Sequence, residues 1–129
     1  MHPILQGRLR LVIYLVLWIG IGKMLAILLV SLQPHALGDV LLFLTPLTVF
    51  YAYVCLSAWW VCRANPLATT PPPRIVAVTL GASALASLLW VMLAAVWATV
   101  LNRAAHVPPD RVAMARDLGI LGIAGVVLY

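Results

Sequence analysis

Four apolar runs, separated by short polar turns, organise the chain. The first covers 11–32, preceded by Arg8 and Arg10 and ended by Gln33-Pro34. It reaches the ~20 residues needed to cross a bilayer. The second opens at Gly38-Asp39, with Asp39 placed to cap a helix, and continues to Val61 or Cys62, where Arg63 closes it. The third covers 75–101, between Pro71-Pro72-Pro73-Arg74 and Asn102-Arg103. The last begins at Pro108-Pro109-Asp110, a helix-start signal. It is polar at Arg111, Arg116 and Asp117, then wholly apolar over 118–129. Helices are therefore predicted at about 9–32, 39–63, 74–101 and 110–129.

Of the nine prolines, only Pro46 falls inside a long apolar run; Pro3 precedes the first run and the other seven lie in the turns. A cleaved signal peptide is excluded for the first run, whose apolar core is too long and lacks a following small-x-small site. The predicted fold class is all-α integral membrane, a bundle of four transmembrane helices forming one membrane-embedded domain, 1–129. The apolar part of the last run is too short for a ~30 Å hydrocarbon core. That helix is expected to be truncated and the natural chain to continue. The alternative is a tilted last helix that begins to insert near Val112.

Composition supports this class. The chain is 65% hydrophobic and 9% charged, with mean hydropathy +1.12. A soluble domain carries about 25% charged residues, and so few charges cannot cover the surface of a small globule in water. Disorder is excluded by the opposite composition. Eight Lys+Arg against three Asp+Glu would suggest nucleic acid in a soluble protein. Here the arginines sit at the ends of apolar runs, so they read as topology and headgroup contacts. Membrane lipid is the expected partner and nucleic acid is not. With the N-terminus cytoplasmic, Arg8, Arg10, Arg63 and Arg74 lie inside, against Arg103, Arg111 and Arg116 outside, which favours that orientation by a slim margin.

Several residues carry candidate chemistry. Lys23 is a formal charge well inside an apolar run. It reads either as an intramembrane site that pairs with an anion or as a side chain snorkelling toward an interface. Pro46 removes a backbone hydrogen bond and marks a hinge or a structural kink, with Thr45 or Thr48 available to satisfy freed carbonyls. Trp59, Trp60 and Arg63 read as an interfacial belt. Tyr51 and Tyr53 lie deeper, where their hydroxyls need partners. Cys55 and Cys62 are seven apart, about 10.5 Å along a helix, too far for an intrahelical disulfide. They read as small packing residues.

Gly81, Gly119, Gly122 and Gly125 are expected to let helices approach closely, within one chain or across a dimer. His2, His35 and His106 lie outside the apolar runs and read as solvated. No catalytic set, metal spacing or phosphate loop is present, and no cofactor is expected in this chain.

The stretch Tyr51-Ala-Tyr-Val-Cys55-Leu-Ser-Ala-Trp59-Trp60-Val-Cys62-Arg63-Ala-Asn65-Pro66-Leu67 is the most distinctive in the chain. It resembles the end of the second membrane helix in the LytS/AlgZ-like bacterial sensor histidine kinases, which partner LytTR-type response regulators. Residues 122–129 look like the start of their last membrane helix. The resemblance implies a homodimeric sensor in the bacterial inner membrane. Its kinase core would follow beyond residue 129 and reach the response regulator. That core would carry an Asn-Pro-His-Phe-type phosphoacceptor motif and an ATP-binding domain. Neither is present here; the Pro34-His35 pair lies in a turn assigned to the outside. This chain alone is therefore expected to be inactive. Tyr51, Cys55, Trp59, Trp60, Cys62, Arg63, Pro66 and Leu67 become candidates for signal coupling. The competing reading is a stand-alone small membrane protein, either a four-helix transporter or an assembly subunit.

Overall fold

The computed structural model describes residues 7–32, 36–66, 70–106 and 110–129. Regular structure there is entirely α-helical: α1 Arg8–Leu32, α2 Leu37–Cys55, α3 Ser57–Ala64, α4 Pro72–Ala104 and α5 Arg111–Leu128. Leu56 alone separates α2 from α3, and the two make one apolar span, Leu37–Ala64. With Arg8–Leu32 and Pro72–Ala104, this gives three helices long and apolar enough to cross a membrane. The last helix, α5, is shorter, at 18 residues.

Helix is the form such runs must take away from water, because it satisfies the backbone within its own segment. Side-chain hydroxyls follow the same logic. Thr45, Thr99, Ser31 and Ser83 each donate to a carbonyl three or four residues back in their own helix. The exposed faces are apolar: Met24 is 74% exposed, Ile123 72% and Leu85 69%. In water a helix of a folded domain turns its apolar stripe inward and its polar face out; these helices present apolar side chains on both faces.

The described residues group into two compact units, Met1–Tyr53 and Val54–Tyr129. In the first, α1 and α2 run antiparallel. Tyr14 meets Ala52, Trp18 meets Tyr51 and Gly22 meets Thr48, so partner numbers fall as α1 advances. The buried residues of α1 are Trp18, Gly22, Ala26 and Leu29, a stripe at helical spacing. Val40, Leu44, Leu47, Thr48, Tyr51 and Ala52 form the matching stripe of α2.

In the second unit, α4 and α5 pack antiparallel, with Ser87 at Gly122 and Gly125, and Val91 at Gly122. α3 packs on α4. At 33 residues, α4 is about 50 Å long, which exceeds a ~30 Å hydrocarbon core.

Several boundaries differ from expectation. Asp39 is not the cap of α2. The helix starts at Leu37, and the Asp39 and Val40 N–H groups donate to the Ala36 carbonyl at 3.1 and 3.2 Å. Asp39 instead stands in the first turn, where a carboxylate still complements the helix dipole. The expected single helix over 39–63 is interrupted at Leu56. That residue keeps helical dihedrals (φ −61°, ψ −24°), while the Trp59 N–H reaches back only three residues, to the Leu56 carbonyl at 3.3 Å.

α4 extends to Ala104, and His106 ends its turn in the left-handed region (φ 54°). At the other end Pro71 is the N-cap, and Pro72 and Pro73 occupy the first turn. Lacking N–H groups, these prolines leave few orphan donors there. Asp110 does cap α5, its carboxylate accepting from the Val112 and Ala113 N–H groups at 3.0 and 3.3 Å.

Candidate functional site

The distinctive 51–66 segment spans two environments. Tyr51 is fully buried in the first unit, its ring edge-on to Trp18 at 5.9 Å and 81°. Trp18 in turn meets Tyr14 at 6.2 Å, and the Tyr14 hydroxyl donates to the Ala52 carbonyl at 2.6 Å. Such edge-to-face geometry is the favoured arrangement of aromatic quadrupoles. Tyr53, two residues on, points away and is half exposed.

The rest of the segment belongs to the second unit and centres on α3. Trp59 and Trp60 meet edge-on at 4.6 Å between ring centroids. Arg63 lies one helical turn beyond Trp59, its Cζ 5.2 Å from the Trp59 ring centroid, within cation–π range. Trp59 is half-buried, whereas Trp60, Cys62 and Arg63 are exposed. Cys55 is half-buried. Asn65 ends the helix: its backbone N–H donates to the Val61 and Cys62 carbonyls, and its side-chain Nδ2 donates to Val61 at 3.1 Å. Pro66 follows and is exposed. Leu67 lies outside the described residues, as do His2, Pro34, His35 and Pro108-Pro109.

One contact of this segment has no signal in the local pattern. The Ser57 hydroxyl, at the start of α3, is 2.9 Å from the Tyr129 hydroxyl, immediately after α5. The side chains are 72 positions apart in sequence, so only the tertiary fold joins them.

The glycines singled out by spacing divide into two pairs. At Gly125 a Cβ would come within 2.8 Å of Ser87 Oγ and 3.1 Å of Trp90 Cε3. At Gly122 it would meet Val91 at 3.5 Å. Ser87 donates to the Gly122 carbonyl at 2.6 Å. Gly81 and Gly119 face open space, with nothing within 4 Å of a Cβ. Sequence spacing alone missed Gly22, where a Cβ would meet Thr48 Oγ1 at 2.6 Å.

Lys23 is exposed on α1, nine residues before the end of that helix at Leu32, or about 13.5 Å by helical rise. Pro46 stands inside α2, which runs on through it. The freed carbonyl belongs to Leu42, by the i→i−4 pattern. Thr45 and Thr48 instead donate to Leu41 and Leu44, so neither hydroxyl compensates it. Among the described residues, no three or more His, Cys, Asp or Glu side chains gather as a metal site would need.

The arrangement offers two things chemically: helix faces locked by small residues, and a short aromatic–basic helix pinned to the end of the last one. No family model, no curated protein and no solved structure matches the chain.

Proposed function

We propose that this chain is the membrane-embedded sensing region of a LytS/AlgZ-like two-component histidine kinase. In this reading it lies in the bacterial inner membrane as a homodimer with its N-terminus cytoplasmic. A kinase core past Tyr129 acts on a LytTR-type response regulator. The stimulus shifts helix packing, and α5 passes the shift to that core. Tyr51, Cys55, Trp59, Trp60, Cys62, Arg63, Pro66 and Leu67 form the coupling region. The 51–67 motif is the sequence basis of the reading. The observation that carries it mechanically is the Ser57–Tyr129 contact, because it ties the motif helix to the last helix, the one that would lead into the kinase.

The test has two arms. The coding sequence after Tyr129 is expected to encode an Asn-Pro-His-Phe-type motif within about one domain length; a stop codon directly after Tyr129 favours the stand-alone membrane protein instead. In the full-length kinase, Arg63→Ala and Ser57→Ala are each expected to change autophosphorylation at equal membrane abundance. Unchanged output in both variants sinks the coupling role.

A further inference from the structure

We propose that the end of the second unit formed by α3 and the start of α4 is a binding site for the headgroup of an anionic phospholipid. Four side chains make it. Arg63 stands in the last turn of α3 and Arg74 in the first turn of α4. Only the connection 65–71 separates these helices, and α3 packs on α4. Both arginines are exposed.

Among the described residues no ion pair joins either of them to an acid. The chain has no glutamate, and no aspartate between Asp39 and Asp110. Arg74 also has the unfavourable sign for a helix N-terminus, where an anion is preferred. A negative group from outside these helices would complement the two arginines, and at the end of two membrane-length apolar helices the abundant one is a lipid phosphate.

The aromatic geometry fits the same occupant. Trp59 and Trp60 form an edge-on pair, with Arg63 held over Trp59 at 5.2 Å. Indoles favour the level of headgroups and glycerol, where one part of the ring is apolar and the N–H is wet. The stack fixes the guanidinium at that level. Arginine is also the side chain whose planar fork matches phosphate oxygens two at a time. Because Ser57 of the same helix meets Tyr129, a lipid held on α3 is linked to the end of α5.

The site needs the chain to lie in a membrane, but it does not need the kinase reading. Its test uses this chain alone, so the two can fail separately. The chain is reconstituted in phosphatidylcholine vesicles containing a small fraction of phosphatidylglycerol with brominated acyl chains. Tryptophan quenching is compared with that by brominated phosphatidylcholine at the same fraction. The expected result is preferential quenching by phosphatidylglycerol, lost in Trp59→Phe/Trp60→Phe. Its apparent affinity should fall about fivefold for Arg63→Gln and again for Arg74→Gln, the factor equivalent to about 1 kcal/mol per basic residue at a membrane surface. Arg63→Lys should retain part of it, and the wild-type preference should fade at high salt.

Equal quenching by both brominated lipids overturns the proposal. So does a wild-type preference that is insensitive to salt, a measure that holds even where a variant does not fold. Displacement of the lipid by soluble glycerol phosphate would mark a free phosphate site and overturn the lipid assignment.

Discussion

The Ser87 hydroxyl on α4 donates to the Gly122 carbonyl on α5 at 2.6 Å, and its Cβ would stand 3.1 Å from any Cβ placed at Gly125. One small polar residue therefore sets both the spacing and the register of this helix pair. Lipid is as apolar as a leucine side chain, so burial gives little drive for helices to associate; packing and hydrogen bonds supply it. Gly125→Ala is expected to destabilise the chain by about 1–3 kcal/mol through overpacking. Gly119→Ala, facing open space, should be neutral or up to about 1 kcal/mol stabilising. Unfolding by SDS titration from mixed micelles measures both, and an equal effect at the two positions would refute this account of the interface.

Gly22 plays the corresponding part between α1 and α2. Its added Cβ would meet Thr48 at 2.6 Å from Oγ1 and 3.2 Å from Cβ. Gly22→Ala should cost about 1–3 kcal/mol, whereas Gly20→Ala, with nothing within 4 Å, should not. Gly22→Ala combined with Thr48→Ala should cost less than the two separate losses, by about 0.5 kcal/mol or more. Strict additivity in this cycle would mean that the two residues do not touch.

Trp18 joins Tyr14 and Tyr51 by two edge-to-face contacts. Trp18→Leu keeps the site apolar but removes both, each worth about 0.5–1.5 kcal/mol beyond area burial. A loss of about 1–3 kcal/mol is expected in the same unfolding measurement. A stability equal to wild type would contradict the cluster's role in holding α1 on α2.

Lys23 separates two physical situations. A lysine buried in an ion pair destabilises by about 3–5 kcal/mol when its partner is left behind. Lys23 is exposed on α1 and keeps the same surroundings when the helices part, so Lys23→Met should change stability by no more than about 0.5 kcal/mol. A loss of several kcal/mol would show that the ammonium is paired within the folded chain.

Existence and type of the long helices were legible in the sequence, for a reason specific to membrane-length apolar runs. An apolar run in a membrane must close its own hydrogen bonds, so length and hydropathy are enough to identify it. Asp110 was legible too, because an aspartate after two prolines leaves its carboxylate free to take the first N–H groups of α5. The aromatic–basic segment was likewise visible from Trp59, Trp60 and Arg63.

Which face of each helix meets a neighbour was not legible. Apart from Arg8, Arg10, Lys23 and Ser31, α1 is apolar on every side, so its buried stripe of Trp18, Gly22, Ala26 and Leu29 carries little polarity signal. Gly122 and Gly125 sit in a tight contact while Gly81 and Gly119, alike in composition, do not. Shape decides that, through which small residue comes opposite which bulky one. The Ser57–Tyr129 contact depends on α3, α4 and α5 folding back together. The sequence by itself determined the helices and made three of them long and apolar enough to cross a membrane. Only the tertiary structure decided their partners, because in a uniformly apolar chain contact is selected by steric fit and a few hydroxyls, and neither follows the hydrophobic pattern.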